Sequence, residues 1–302
     1  MEQPGAPAPA SGAPPFVQVT GLGRRFGDAW AVRNASFGVA RGELFGLIGP
    51  NGAGKTTTLK MLAGLLAPSE GTARVGGLDV QDPRHRARVG YLPEDSALYE
   101  EMQPRAYLRF FAELYGVPRG TAKQRIEATL DGLALDAKDR RIGDLSKGNK
   151  RKVALARSLI HEPELLLYDE PASGLDPVAS QYVLDLLQRL RSEGKTVVLS
   201  AHNLFHLERV CDRVLILRKG EVAAQGTMPE IRARFGGQGY RVRLSVPVPG
   251  SVPAEQGFEA LAQDMEDVAA LEAKALAQGG RVLEVAPRER SLEEIFLRHV
   301  AR

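Results

Sequence analysis

A glycine-rich run between two apolar segments constrains the fold of this chain more than any other feature. It reads Gly-Pro-Asn-Gly-Ala-Gly-Lys-Thr-Thr over residues 49–57 and matches the pattern G-x-x-x-x-G-K-S/T. Its three glycines allow successive backbone N–H groups to point at the oxygens of a phosphate. A short apolar run precedes the loop and a helical pattern follows it, so its N–H groups are expected to lie at the positive end of a helix.

This loop predicts a nucleotide site. Lys55 is expected to reach the β- and γ-phosphates, and the hydroxyl of Thr56 is expected to bind Mg²⁺. The predicted ATP-binding residues of the loop are Gly49, Pro50, Asn51, Gly52, Ala53, Gly54, Lys55, Thr56 and Thr57.

The segments around the loop alternate between strand-like and helix-like patterns. The apolar runs at residues 44–48 and 164–168 are expected to be strands buried on both faces. Such alternation is typical of an α/β fold with a mainly parallel sheet covered by helices. Strand signals stop between Ser96 and Gly143, which predicts a helical subdomain inserted at about residues 96–160.

The ends of the chain differ from this middle part. Residues 1–15 are rich in proline and alanine and are expected to form a disordered tail. The main domain is expected over residues 16–236, up to a glycine-rich break. Residues 237–302 are expected to form a small α+β domain, with a helix over residues 257–263.

Composition excludes several classes of protein. Lys and Arg number 40 and Asp and Glu 37, and the resulting charge of +3 is weak support for nucleic-acid binding. The single cysteine, Cys211, excludes an internal disulfide and is typical of a reducing cytosol. No apolar stretch is long enough for a membrane span, so we expect a cytosolic protein unless another protein holds it at a membrane.

Two acidic residues follow the apolar run that ends at Tyr168, namely Asp169 and Glu170. A buried strand that ends in carboxylates places them at the carboxyl edge of a parallel sheet, beside the phosphate loop. Asp169 is expected to hold Mg²⁺ through its water shell. Glu170 is expected to orient and polarise the water that attacks the γ-phosphate.

Together these motifs resemble the nucleotide-binding subunit of an ABC transporter, a P-loop NTPase, over residues 16–226. The resemblance implies an antiparallel β-subdomain at the N-terminal side of the parallel sheet. It also identifies a signature segment, usually Leu-Ser-Gly-Gly-Gln, which would close over the γ-phosphate of ATP bound to a second subunit. The corresponding residues here are Leu145, Ser146, Lys147, Gly148 and Asn149.

The same resemblance implies roles for residues outside these motifs. Glu94 occupies a position that usually holds glutamine in the Q-loop, and it is expected to face Mg²⁺ with an added negative charge. His202 follows a strand, as the family's switch histidine does, and is expected to contact the γ-phosphate. The D-loop, expected to contact a second subunit, consists of Ser173, Gly174, Leu175 and Asp176.

Phe26 corresponds in position to the aromatic residue that stacks on adenine in this family. The alternative is a core phenylalanine at a strand end. The chain also contains a basic cluster, which by default is interpreted as a solvated surface. The alternatives are that it attracts phosphate or anionic lipid. This cluster comprises Lys138, Arg140, Arg141, Lys147, Lys150, Arg151 and Lys152.

The resemblance implies an ATP-hydrolysing subunit of an exporter, with ATP and Mg²⁺ as cofactors. Its expected partners are a second copy and a separate transmembrane permease, and not nucleic acid. The expected location is the cytoplasm, on the inner face of the cell membrane. Residues 291–300 resemble the ending of drug and polysaccharide exporter ATPases.

A soluble ABC-type ATPase acting on ribosomes or nucleic acid is the rival hypothesis. Such translation factors carry two cassettes, whereas this chain has one. Chromosome-type ATPases need a long coiled coil between the phosphate loop and the signature, and only 91 positions separate Lys55 from Ser146. A regulatory subunit without catalysis is disfavoured because the catalytic motifs are intact.

Overall fold

The structure, a computed structural model, describes residues 14–201, 204–236 and 238–289. The chain divides into two compact units, one up to Gly226 and one from Thr227. A short helix starts directly after Thr227, whose hydroxyl accepts the N–H of Glu230 while the Glu230 carboxylate accepts the N–H of Thr227. The second unit therefore starts before the glycine-rich break on which the expected boundary was based.

The first unit contains ten strands and six α-helices among its described residues. Short 3₁₀ turns lie at Pro83–Arg88 and Ile142–Asp144. The strands are β1 (Val17–Phe26), β2 (Ala29–Val39), β3 (Leu44–Ile48), β4 (Glu70–Val75), β5 (Leu78–Asp79), β6 (Val89–Leu92), β7 (Leu165–Asp169), β8 (Thr196–Ala201), β9 (Arg213–Arg218) and β10 (Glu221–Thr227). The helices are α1 (Lys55–Leu62), α2 (Pro104–Leu114), α3 (Arg119–Gly132), α4 (Lys147–Leu159), α5 (Pro177–Ser192) and α6 (Leu204–Val210).

A six-stranded sheet in the order β10-β9-β3-β8-β7-β6 forms the centre of this unit. The pairs β9–β3, β3–β8, β8–β7 and β7–β6 are all parallel. Every residue of β3 and β7 is buried, as their continuous apolar runs predicted. The expected α/β fold with a mainly parallel sheet is confirmed.

The N-terminal strands form a separate antiparallel sheet, in the order β2-β1-β4-β5. One apolar core joins this sheet to the parallel one. The rings of Phe37 in β2 and Phe45 in β3 stack there, with their centroids 5.7 Å apart. The expected N-terminal antiparallel subdomain is thereby confirmed, and its packing fixes the position of β3 and of the loop that follows.

The chain between β6 and β7 is helical, as the loss of strand signals predicted. Helix α2 buries Pro104, Tyr107, Leu108 and Ala112, and α3 buries Ala122, Ile126 and Leu130. In each helix these residues lie on one face, because spacings of three and four positions bring side chains to the same side. None of the helices in the described part of the chain is long and apolar enough to cross a membrane.

The second unit is a small α+β domain. A π-helical turn lies at Arg232–Gly236. The other elements are α7 (Met228–Ile231), β11 (Gln238–Leu244), β12 (Val252–Ala254), β13 (Gly257–Ala262), α8 (Met265–Ala277) and β14 (Val282–Glu289). The strands form an antiparallel sheet in the order β12-β13-β11-β14. This sheet packs against α8, which buries Val268, Leu271 and Ala275.

The prediction of a helix over residues 257–263 is wrong, because this segment forms strand β13. Ala260 and Ala262 point into the core while Leu261 between them is exposed, which is the period-two pattern of a strand. Pairing with β11 on one side and β12 on the other stabilises this choice. The helix begins three residues after β13, at Met265. Residues 1–13 and 291–300 lie outside the described residues.

Asp264 fixes the start of α8, and its replacement should destabilise the second unit. Its carboxylate accepts the backbone N–H of Asp267 at 3.0 Å. Asp264→Ala leaves this N–H unpaired and should lower the local free energy of unfolding by about 1 kcal/mol. Asp264→Asn keeps an accepting oxygen and should remain close to the parent protein. Hydrogen exchange of the α8 amides measures both, and equal losses in the two variants would contradict the capping role.

Candidate active site

The glycine-rich loop joins the end of β3 to the start of α1. Gly54 precedes the first helical residue with a φ of 104°, a conformation that side chains with a Cβ rarely adopt. A Cβ on Gly54 would also lie 2.5 Å from the carbonyl oxygen of Ala31. The sequence requires glycine here because the loop turns tightly against β2.

Lys55 points into the loop that it follows. Its ammonium donates to the carbonyl oxygens of Gly49 at 2.7 Å and Pro50 at 3.4 Å. Only 7% of the residue is exposed, so the loop carbonyls compensate part of the cost of burying this charge. The ammonium lies 4.0 Å from the nearer carboxylate oxygen of Glu170, which brings the first two sequence motifs together.

A cavity of about 660 Å³ joins four segments that are separate in the sequence. It falls within the usual size range for small-molecule sites. One wall is the glycine-rich loop, and the others carry the acidic residues expected from the sequence. The lining residues are Ala31, Pro50, Asn51, Gly52, Ala53, Gly54, Lys55, Thr56, Thr57, Glu94, Asp169 and Glu170.

The two carboxylates at the end of β7 are held by the neighbouring strand β8. Asp169 is 2% exposed, and the hydroxyl of Ser200 donates to its Oδ1 at 2.5 Å. The backbone N–H of Glu170 donates to the Ser200 hydroxyl at 3.0 Å and also to the Ser200 carbonyl. Ser200 was missed by the sequence analysis, although it is a polar residue near the carboxyl end of an apolar strand.

The oxygen donors predicted for Mg²⁺ fit that ion. Thr56, Glu94 and Asp169 line the same cavity, and oxygen ligands are those that Mg²⁺ prefers. No group of three or more His, Cys, Asp and Glu side chains arranged for a metal occurs within the described residues. Mg²⁺ in nucleotide sites commonly uses one or two carboxylates, with phosphates and waters as its other ligands, so this chemistry agrees with the donors present.

Two tyrosines on the strands that lead to this site are kept neutral by burial. Burial, together with the charge of Asp169, raises the pKa of Tyr91 in β6 to about 12. Burial also raises the pKa of Tyr168, whose hydroxyl lies 3.0 Å from that of Ser158. Both phenols therefore stay neutral at physiological pH, and the negative charge at this edge of the sheet comes from the carboxylates.

The signature segment starts α4, and the D-loop starts α5. The Ser146 hydroxyl accepts the N–H of Asn149 at 3.3 Å. Asp176 accepts the N–H groups of Val178 and Ala179 at 3.0 and 2.9 Å. A Cβ on Gly174 would overlap the ammonium of Lys147, so the substituted signature residue lies over the D-loop of the same chain.

Arg151 contradicts the default interpretation of the basic cluster as a solvated face. It is 9% exposed, and its guanidinium donates to the backbone carbonyls of Pro93, Glu94 and Glu170. Burial lowers its pKa to about 10, which leaves it charged at neutral pH. The sequence alone gives no sign that Arg151 is buried. Its neighbours Lys150 and Lys152 belong to the same basic cluster, yet both make their hydrogen bonds at exposed positions.

Two predicted residues have a different status. Phe26 is 50% exposed at the end of β1, with the Arg24 guanidinium 4.8 Å from its ring centroid. The core alternative for Phe26 is therefore wrong, while its stacking on adenine stays a prediction. His202 lies outside the described residues.

Comparisons with known proteins agree with this geometry. The family model described as "ABC transporter" matches residues 32–173. The Nod factor export ATP-binding protein I of Ralstonia nicotianae is 40% identical over 233 residues, which cover 76% of this chain and 72% of that protein. The ABC transporter ATP-binding protein NatA of Bacillus subtilis is 39% identical over 224 residues, 72% of this chain and 91% of that protein.

A solved structure also has this fold, at a sequence identity close to those of the two relatives above. An ATP-binding subunit of an ABC transporter superimposes with a TM-score of 0.67 at 34% identity, covering 73% of this chain and 93% of that one. Relatives above 30% identity that are covered over most of their length establish family membership. The chain therefore belongs to the ATP-binding proteins of the ABC transporter family and is an ATPase of that type.

Proposed function

We propose that this chain is the ATP-hydrolysing subunit of an ABC exporter that drives a separate transmembrane permease. The single observation that carries the proposal is the cavity in which the phosphate loop meets Glu94, Asp169 and Glu170. The export direction is supported by the similarity to a Nod factor export protein. No feature of the described residues favours the rival role on ribosomes or nucleic acid.

Different residues around the cavity carry out different parts of phosphoryl transfer. Loop N–H groups and the Lys55 ammonium bind the phosphates, so Lys55 exchanges the carbonyl of Gly49 for phosphate oxygen. Glu170 accepts a proton from the attacking water and orients it. His202 assists at the γ-phosphate, and Phe26 stacks on the adenine.

Thr56, Glu94 and Asp169 would hold Mg²⁺, which would supply positive charge against the phosphates. The Ser200 hydroxyl holds one oxygen of Asp169 by hydrogen bonding, which orients its carboxylate before the ion arrives. Glu94 brings a full charge where the family usually has an amide, and it thereby strengthens the attraction for the ion.

The signature segment and the D-loop serve a second copy of the chain. The signature segment starts α4, and the positive end of a helix dipole attracts an anion. We propose that each copy presents residues 145–149 to the γ-phosphate of its partner, while residues 173–176 contact the partner across the dimer. The second compact unit serves as an accessory domain.

An apolar groove in the first unit is the proposed permease contact. Leu65, Tyr91, Phe111 and Tyr115 contribute apolar side chains, and Arg86 and Arg157 also line it. Leu65 is 58% exposed. Tyr91 on β6 lines this groove and Glu94, three residues later, lines the nucleotide cavity, so one short stretch of chain contributes to both. An apolar face of a cytoplasmic permease helix fits such a groove, and this contact would hold the chain on the inner face of the membrane.

Lys55→Ala should weaken nucleotide binding itself. Removal of the ammonium leaves phosphate oxygens without a charged donor, and such hydrogen bonds contribute about 1.5–3 kcal/mol, or roughly 10- to 100-fold in affinity. Titration with a fluorescent ATP analogue measures the loss. Lys60→Ala, on the exposed side of the same helix, should bind as the parent does. Unchanged affinity in Lys55→Ala would contradict the assignment of the phosphate loop.

Glu170→Gln should bind MgATP but hydrolyse it about 10²- to 10⁴-fold more slowly, the range expected for a positioned base. Gln retains the size of Glu but cannot accept a proton from water. Phosphate release measures hydrolysis, and equilibrium binding is measured in parallel. Glu193→Gln, at an exposed position after α5, is the matched control. Retained turnover in Glu170→Gln would remove this residue from the role.

Leu65→Glu should release the chain from its permease, because it places a charge in the apolar groove. The tagged Glu170→Gln chain, purified with MgATP from detergent-solubilised membranes of its host, should bring a multi-span membrane protein with it. Leu65→Glu in this background should lose that partner and keep ATP binding. Leu276→Glu, an equally exposed leucine in α8, should keep both. Ribosomal proteins or nucleic acid instead of a membrane protein would favour the rival function.

A further inference from the structure

We propose that Arg151 is a positioning residue for hydrolysis. It holds the backbone of Glu170 and of the segment at Glu94 against α4, the helix that starts at the signature segment. The proposal rests on the function assigned above to Glu170. Arg151 lies in α4, one turn after the signature segment, and its guanidinium reaches the ends of β6 and β7. One side chain thus joins three segments of the site.

The guanidinium uses every donor that it has. An arginine carries five N–H groups, and Arg151 makes five hydrogen bonds, all to backbone carbonyl oxygens. Nε donates to Pro171 at 2.9 Å, Nη1 donates to Pro93 and Glu94 at 2.9 Å each, and Nη2 donates to Asp169 at 3.2 Å and Glu170 at 2.9 Å.

The backbone of Glu170 needs such support. Its φ is 47°, in the left-handed region that a residue with a Cβ rarely adopts. The carbonyls of Asp169, Glu170 and Pro171 converge on Arg151, while the N–H of Glu170 donates to Ser200. Both sides of the turn are therefore fixed, and the carboxylate of Glu170 is directed towards Lys55.

A lysine could not replace this guanidinium. Lysine ends in a single nitrogen with three N–H groups, whereas the five carbonyls lie around a planar group with three nitrogens. The positive charge would remain, so Arg151→Lys separates the effect of charge from the effect of positioning. We expect the turn at Glu170 to lose its fixed direction and the carboxylate to be displaced from the attacking water.

The test is a double-mutant cycle with Glu170. Arg151→Lys should lower kcat by about 10- to 100-fold, since small displacements of catalytic groups have effects of this size. The affinity for ATP measured without Mg²⁺ should stay within roughly threefold of the parent, because Arg151 does not contact the phosphate loop. Single-turnover hydrolysis of labelled ATP is measured with excess enzyme, so that the slow Glu170→Gln background remains measurable.

The decisive comparison is the effect of Arg151→Lys in the two backgrounds. When Arg151 acts through Glu170, the double variant should be about as slow as Glu170→Gln alone. An equal fold loss in both backgrounds, or a parent-like kcat, would overturn the proposal. Absence of MgATP hydrolysis by the parent chain would instead overturn the proposed function.

Controls separate positioning from stability. Lys152→Ala, one position further along α4, removes an exposed bond to Ala134 and should leave kcat and affinity unchanged. Folding of each variant is checked by thermal unfolding, and Arg151→Gln, which keeps two amide donors, serves as a second variant. If neither Arg151 variant folds, Arg151 is a structural residue and the proposal is overturned.

Discussion

The parallel pairing of β3, β8 and β7 is the constraint on which the rest of the site depends. In this order the glycine-rich loop leaves one strand and Asp169 ends another, with Ser200 on the strand between them. All three strands run in the same direction, so their carboxyl ends meet at one edge. A strand order that separated β3 from β7 by more than one strand would leave Lys55 too far from Glu170 to act on one nucleotide.

Burial of charge at this edge has a cost that local hydrogen bonds offset. Lys55, Arg151, Asp169 and Glu170 are all buried, and ionised groups out of water are unfavourable unless they are paired or hydrogen-bonded. Arg151 and Lys55 obtain their partners from backbone carbonyls, and Asp169 obtains one from Ser200. The side chains are thus paired from behind, while Lys55, Asp169 and Glu170 still line the cavity.

The two surfaces proposed for partners differ in chemistry. The signature segment lies at the start of α4 and carries the exposed Lys147, so this surface suits an anion presented by a second copy. The groove beside β6 presents aromatic and aliphatic side chains together with Arg86 and Arg157, which suits an amphipathic helix. Arg151 and Glu94 lie between them, because the segment that leaves β6 contacts the signature helix through the guanidinium.

Local sequence determined the parts of this protein whose geometry is local. The run at residues 49–57 specifies a loop between strand and helix, because neighbouring backbone leaves no room for a Cβ at Gly49 and Gly54, and Gly52 has a φ of 79°. The apolar strand before Asp169 specifies its own burial. The short stretch at residues 257–263 was misassigned because its few apolar residues fit either period, and only pairing with β11 and β12 selects a strand.

The hydrogen-bond partners of individual side chains were decided only by the tertiary structure. Arg151 and Lys152 are adjacent and similar in sequence, yet one is buried against five carbonyls and the other bonds at an exposed position. Ser200 became a support for Asp169 only because β8 pairs with β7. These contacts join residues 18 to 58 positions apart, and no local pattern encodes such distances, since they follow from the order in which strands and helices pack.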